Sequence, residues 1–149
     1  MTTGIATGPS AARQQHTGAA ATDTRERTVR ALRRRQRFER AHLIAARFVL
    51  GALALQIFFA GLGVFGVASF LPHAIFGATL ILSSFSVPII AWTGHLERAI
   101  VRRSWLLAGL MIVQGLLIDI GRTVHIVAAL HPVNAMLLVL VTYSLARRR

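Results

Sequence analysis

Four residues in this chain have types and spacings that could do chemistry. Gln56 is followed 17 residues later by His73, and Gln114 is followed 17 residues later by His131. The two pairs stand 58 residues apart. Neutral imidazoles on facing helices could ligate the iron of a b-type haem, hold another metal or relay protons. Amides inside an apolar helix could line a path for a solute, or could hydrogen-bond one helix to the next.

The surroundings of the glutamines also correspond. LQIFFAGLG (55–63) aligns with VQGLLIDIG (113–121), so Gly63 matches Gly121. Pro72 precedes one histidine and Pro132 follows the other. Glutamine and glycine seven apart lie on one face of a helix, two turns from each other. Glycine there allows close approach between helices, and glutamine can bond across the gap. Gln56, Gln114, Gly63 and Gly121 are therefore expected to face a bundle interior. His73 heads one helix just after Pro72. His131 precedes a proline, which disfavours helical backbone, so it is expected to cap the last helix. His125 shares the face of Gln114 and Gly121 if that helix continues. His42 and His95 lie at the opposite end and form a possible second pair.

The elements that must position these residues are membrane spans. The chain has 149 residues, 54% of them apolar. Residues 48–70 are 23 residues without a formal charge, and a helix needs about 20 to cross the hydrocarbon. Uncharged runs recur at 73–93, 104–118 and 132–146. They are apolar all round, unlike the striped helices of a soluble bundle. The expected fold is all-α: a transmembrane four-helix bundle of two parallel helical-hairpin repeats, with spans near 48–70, 73–93, 104–121 and 132–146. Pro88 is expected to bend the second span. Small residues there (Gly77, Ala78, Ser83, Ser84) could leave room for a haem.

Charge supplies an orientation. The net charge is +12, and all 17 basic residues are arginine. With four spans, every arginine but Arg122 falls on one side, where both termini also lie. The positive-inside rule makes that side the cytoplasm, and the expected location is the bacterial plasma membrane. Trp92, Trp105 and Tyr143 fall near the same side, as an aromatic belt would. Asp119 and Arg122 have the spacing of a helical ion pair. Residues 1–23 read as a disordered cytoplasmic tail, 24–47 as a basic juxtamembrane segment and 147–149 as a basic end. Arg33, Arg34, Arg35, Arg37 and Arg40 are expected to meet anionic head groups at the membrane surface rather than nucleic acid, since no nucleic-acid-binding module accompanies them.

The stretch LQIFFAGLGVFG (55–66), the H-x-x-x-G of His73–Gly77, Gln114 and LHPVNA (130–135) together resemble a family of small bacterial four-helix membrane proteins, a domain of unknown function. The resemblance spans about residues 48–146. It implies the fold and the location and brings no activity with it.

No cysteine is present, which removes disulfides, thiolate metal sites and covalent haem attachment. No Ser/His/Asp set, phosphate loop or HExxH motif appears. The chain reads as a non-enzymatic integral membrane protein. Its rivals are a haem b electron-transfer subunit ligated by His73 and His131, and a small transporter or channel component lined by Gln56 and Gln114. A homo-oligomer or a membrane partner is compatible with each.

Overall fold

A computed structural model describes the backbone of residues 9–147 and the side chains of 25–147. Six helices follow in order: α1 (Pro9–Val64), α2 (Leu71–Ser84), α3 (Ser86–Thr93), α4 (Arg98–Gly121), α5 (His125–Ala128) and α6 (Leu130–Ala146). Among the described residues there is no strand. The chain divides into two compact units, Met1–Gln36 and Arg37–Arg149.

The first unit is described from Pro9 on as the leading part of α1. Its helix includes most of the segment expected to be disordered; residues 1–8 of that segment lie outside the described residues. The alanines are strong helix formers, and Pro9 occupies a first turn, where its missing N–H costs nothing. Residues 25–36 are all exposed, Arg33, Arg34 and Arg35 among them. Arg30 donates to Glu26 one turn away at 2.9 Å.

The second unit holds the bundle. Four helical stretches are long and apolar enough to cross a membrane: Arg25–Val64, Leu71–Thr93, Arg98–Gly121 and His125–Ala146. Only 22%, 28%, 33% and 17% of their apolar windows are buried. Phe48, Phe58, Leu82, Met136 and Leu140 are among the large apolar side chains left exposed. A bundle in water would not leave so much apolar surface uncovered, whereas lipid tails solvate it. The chain is therefore a multi-pass membrane protein by the length and composition of its helices. The core is a slender column of Val49 and Leu53 from α1, Leu80 and Val87 from the second span, Leu107 and Met111 from α4, and Leu138 and Leu145 from α6. α4 packs against α2, α3, α5 and α6.

The expected ends at 93, 121 and 146 coincide with helix ends, and the others differ for local reasons. The first helix stops at Val64, not at residue 70. Gly66 takes a left-handed φ of 68°. Its N–H bonds to the Gly63 carbonyl, and the Val67 N–H to that of Leu62. Those two bonds form a Schellman stop, with glycine at the left-handed position. The third span begins at Arg98 because its arginines continue the helix below the uncharged run. The fourth begins with α5, and His131 is not a cap: it lies in the first turn of α6 despite Pro132. The preference of a pre-proline residue for extended backbone is outweighed there by bonds that hold the histidine, described below. The second span is interrupted at Phe85. Pro88 has no N–H to offer the carbonyl four residues earlier, that of Ser84. Ser83 and Ser84 turn their hydroxyls back onto the carbonyls of Leu80 and Ile81.

The α3–α4 turn is a second Schellman stop. Leu96 N–H bonds to the Ala91 carbonyl and His95 N–H to that of Trp92. The left-handed position here falls to His95, with φ 48°. A glycine is adjacent, but Gly94 is needed where it stands, since a Cβ on it would come within 2.5 Å of Phe38 Cβ. Two outcomes follow for thermal unfolding in detergent, read by circular dichroism. His95→Gly relieves the left-handed strain and raises the midpoint, by up to about 1 kcal/mol. Gly94→Ala lowers it by about 1–3 kcal/mol, as overpacking does.

Candidate functional site: two glutamine–histidine clasps

The four residues whose spacing stood out come together as two like pairs. In the first, His73 Nδ1 lies 3.1 Å from the main-chain oxygen of Gln56. Gln56 Nε2 donates to the main-chain oxygen of His73 at 2.8 Å and lies 3.4 Å from its Nε2. In the second, His131 Nδ1 lies 3.2 Å from the Gln114 main-chain oxygen. Gln114 Nε2 donates to the His131 main-chain oxygen at 3.2 Å and to its Nε2 at 3.0 Å. Each side chain thus grips the other residue's backbone.

These partners fix the chemistry of the rings. A carbonyl oxygen only accepts, so each Nδ1 carries the proton. In a neutral imidazole Nε2 is then an acceptor, and the amide NH2 supplies its donor. The amides cannot be flipped, because that would set oxygen against oxygen. Both carbonyls lie within helices and use a second lone pair, so no helical bond is given up.

The glycines serve the same pairs, though not by joining two long helices. A Cβ on Gly63 would lie 2.8 Å from the Phe70 ring, and one on Gly121 would lie 2.7 Å from Ala128 Cβ. Each glycine therefore makes room for the residue seven positions on, where the chain folds back. Gly77, four after His73, leaves space for the amide, since a Cβ there would meet Gln56 Nε2 at 2.6 Å.

The pairs differ in one place. Asn134 is buried and donates to Gln114 Oε1 at 2.6 Å and to the Leu110 carbonyl at 2.9 Å. The same offset from Asn134 leads to Phe76, which cannot donate; it packs edge-on against Phe59 at 5.5 Å. Gln56 Oε1 is accordingly buried without a partner. Asn134 stands within LHPVNA, yet no role follows for it from spacing alone. An asparagine three residues after a histidine in an apolar helix was the available signal.

The two imidazoles themselves meet, with centroids 6.2 Å apart and planes at 65°. His73 and His131 are the residues that would hold a haem iron, which would supply one-electron chemistry there. The nitrogens do not fit without rearrangement, because each Nε2 lies against its own glutamine amide. Gln56 and Gln114, the candidates for lining a solute path, likewise have their amides turned onto the histidines.

The other histidines lie elsewhere. His42 is buried on α1, its Nε2 2.9 Å from Ser104 Oγ on α4. Ser104 donates in turn to the Ile100 carbonyl. Arg47 Nε donates to the Ala146 carbonyl at 3.2 Å, which ties the end of α6 to the same region. His95 is exposed in its turn, and His125 starts α5 rather than extending α4. Arg37 and Arg40 are exposed on α1. Asp119 and Arg122 are both exposed and, among the described residues, form no ion pair with each other. Arg122 is the C-cap of α4, its N–H bonded to the Ile118 carbonyl.

The asymmetry orders two variants. Gln114→Leu strips donors and acceptors from His131 and Asn134 together and is expected to cost about 2–3 kcal/mol. Gln56→Leu also removes an acceptor that already lacks a partner, so its cost is expected near 1 kcal/mol. Thermal midpoints in one detergent check the order. A Gln56→Leu midpoint at or below that of Gln114→Leu would refute it.

Residues 56–124 match the model of a family of unknown function, DUF6220. The matched stretch opens on Gln56 and contains His73, Gln114 and both glycines, but ends before His131 and Asn134. No curated protein and no solved structure matches the chain. Over that central stretch, the chain is similar to an uncharacterised domain.

Proposed function

We propose that this is a non-enzymatic protein of the bacterial plasma membrane, made of two parallel hairpin repeats held shut by the two clasps. Both termini lie in the cytoplasm in this reading, and the arginine-rich segments meet anionic lipid there. The observation that carries it is the recurrence of the same reciprocal bonds in both pairs. Main-chain oxygen to Nδ1, amide to main-chain oxygen and amide to Nε2 recur with their residues offset by 58. In hydrocarbon such bonds contribute about 0.6–2 kcal/mol each, and no water competes for the groups.

The absence of cysteine makes orientation testable. Single cysteines at Ser69, Arg103 and Thr123 are probed with a membrane-impermeant maleimide on intact cells. Ser69→Cys and Thr123→Cys are expected to label from outside, and Arg103→Cys only after lysis. The reverse pattern would overturn the orientation, and equal labelling of all three would overturn the four-span topology.

A haem b electron-transfer subunit is the second reading, favoured by the contact between the two rings. Holding Nδ1–H on a carbonyl is also what ligating histidines commonly do. The residues that would hold the haem are His73 and His131, each after releasing its amide, and the iron would supply one-electron chemistry. Absorption spectra of protein from haem-replete cells, oxidised and then dithionite-reduced, decide between the readings. A Soret band lost in His73→Ala and in His131→Ala would establish the haem reading. A flat visible spectrum is expected if the clasps only hold the bundle.

A further inference from the structure

A groove opens between the end of α3 and the first turns of α4, lined by Trp92, His95, Leu96, Arg98, Val101 and Arg102. Its place along the chain is where one apolar stretch ends, at Thr93, and the next begins, at Arg98. Trp92 is 65% exposed, and its ring suits the boundary between hydrocarbon and head groups. Arg98 and Arg102 lie four apart, on one face of α4.

The charges stand where the helix itself disfavours them. The N-terminus of α4 carries the positive end of its dipole, yet Arg98, Arg102 and Arg103 crowd its first turns, where there is no acidic residue. An anion between the two guanidinium groups would relieve both repulsions. Trp92, Leu96 and Val101 add apolar lining to the groove, which a free anion would not use and an acyl chain would.

We propose that this groove binds the phosphate of an anionic phospholipid, with Arg98 and Arg102 as its forks and Trp92 against the start of a chain. The proposal rests on the membrane reading above. Its test uses the full chain in mild detergent, titrated with short-chain phosphatidylglycerol, with phosphatidylcholine, or with inorganic phosphate, while tryptophan fluorescence is followed. Phosphatidylglycerol is expected to give a saturable change at concentrations at least about tenfold below those phosphatidylcholine requires. R98Q/R102Q is expected to abolish that preference. R98K/R102K keeps the charge and the fold but loses the planar fork, and is expected to weaken binding by about tenfold. R33Q/R34Q/R35Q is expected to keep the preference.

Equal responses to the two lipids, or an unaltered preference in R98Q/R102Q, would overturn the site. Loss of the preference in R33Q/R34Q/R35Q would overturn its placement. Saturation by inorganic phosphate at the same concentrations would overturn a lipid source in favour of a free anion. Release of the protein from membranes by alkaline carbonate would mean instead that the membrane reading itself had failed.

Discussion

A polar group inside a bilayer has no water to fall back on, and most of this structure follows from that constraint. Each clasp residue offers a side chain to its partner's backbone, so the groups that enter the apolar layer as liabilities satisfy one another. The bonds use carbonyl lone pairs that the helices leave idle. Apolar packing could not set the register of these helices as firmly, because lipid tails compete equally well for leucine and phenylalanine. A glutamine and a histidine that match only one another exclude a shift by one turn.

The two ends of the bundle are secured by different chemistry. At one end lie the clasps, with both histidines in contact and Asn134 completing only one of them. At the other, His42 meets Ser104 and Arg47 reaches the Ala146 carbonyl at the end of α6. Between them runs a thin apolar column. The two pairs are not equally complete: Phe76, 58 residues before Asn134, stands in an aromatic contact, and Gln56 Oε1 is left over.

Much of this was legible in the sequence, and the limits are physical. Hydropathy located four apolar stretches because lipid demands length and uniformity. A glutamine bond across the helix gap is the expectation from sequence; the equal spacing of glutamine and histidine singled out the four residues but did not pair each glutamine with its own histidine. It did not give the direction of the bonds, because nothing in the spacing says that each amide would seek backbone as well as ring. Hydropathy does not register where a single residue decides a helix end: Gly66 stops α1 at Val64, and α4 runs back through its arginines to Arg98, ahead of the uncharged run that starts at Ser104. The cap expected at His131 failed because a local pre-proline preference yields to a bonded partner 17 residues back. The contact of His42 with Ser104 joins residues 62 apart without any repeated pattern, so no sequence signal pointed to it.

The break at Phe85 has a mechanical meaning. It divides the second span into two helical segments, both packed against α4. The first segment is also fastened to α1 through His73, whereas the second has no such polar tie among the described residues. A proline that removes one rung of the helical ladder lowers the bending stiffness at that level alone. Bending of the second span under a thinner bilayer or against a neighbouring protein would therefore concentrate at this level.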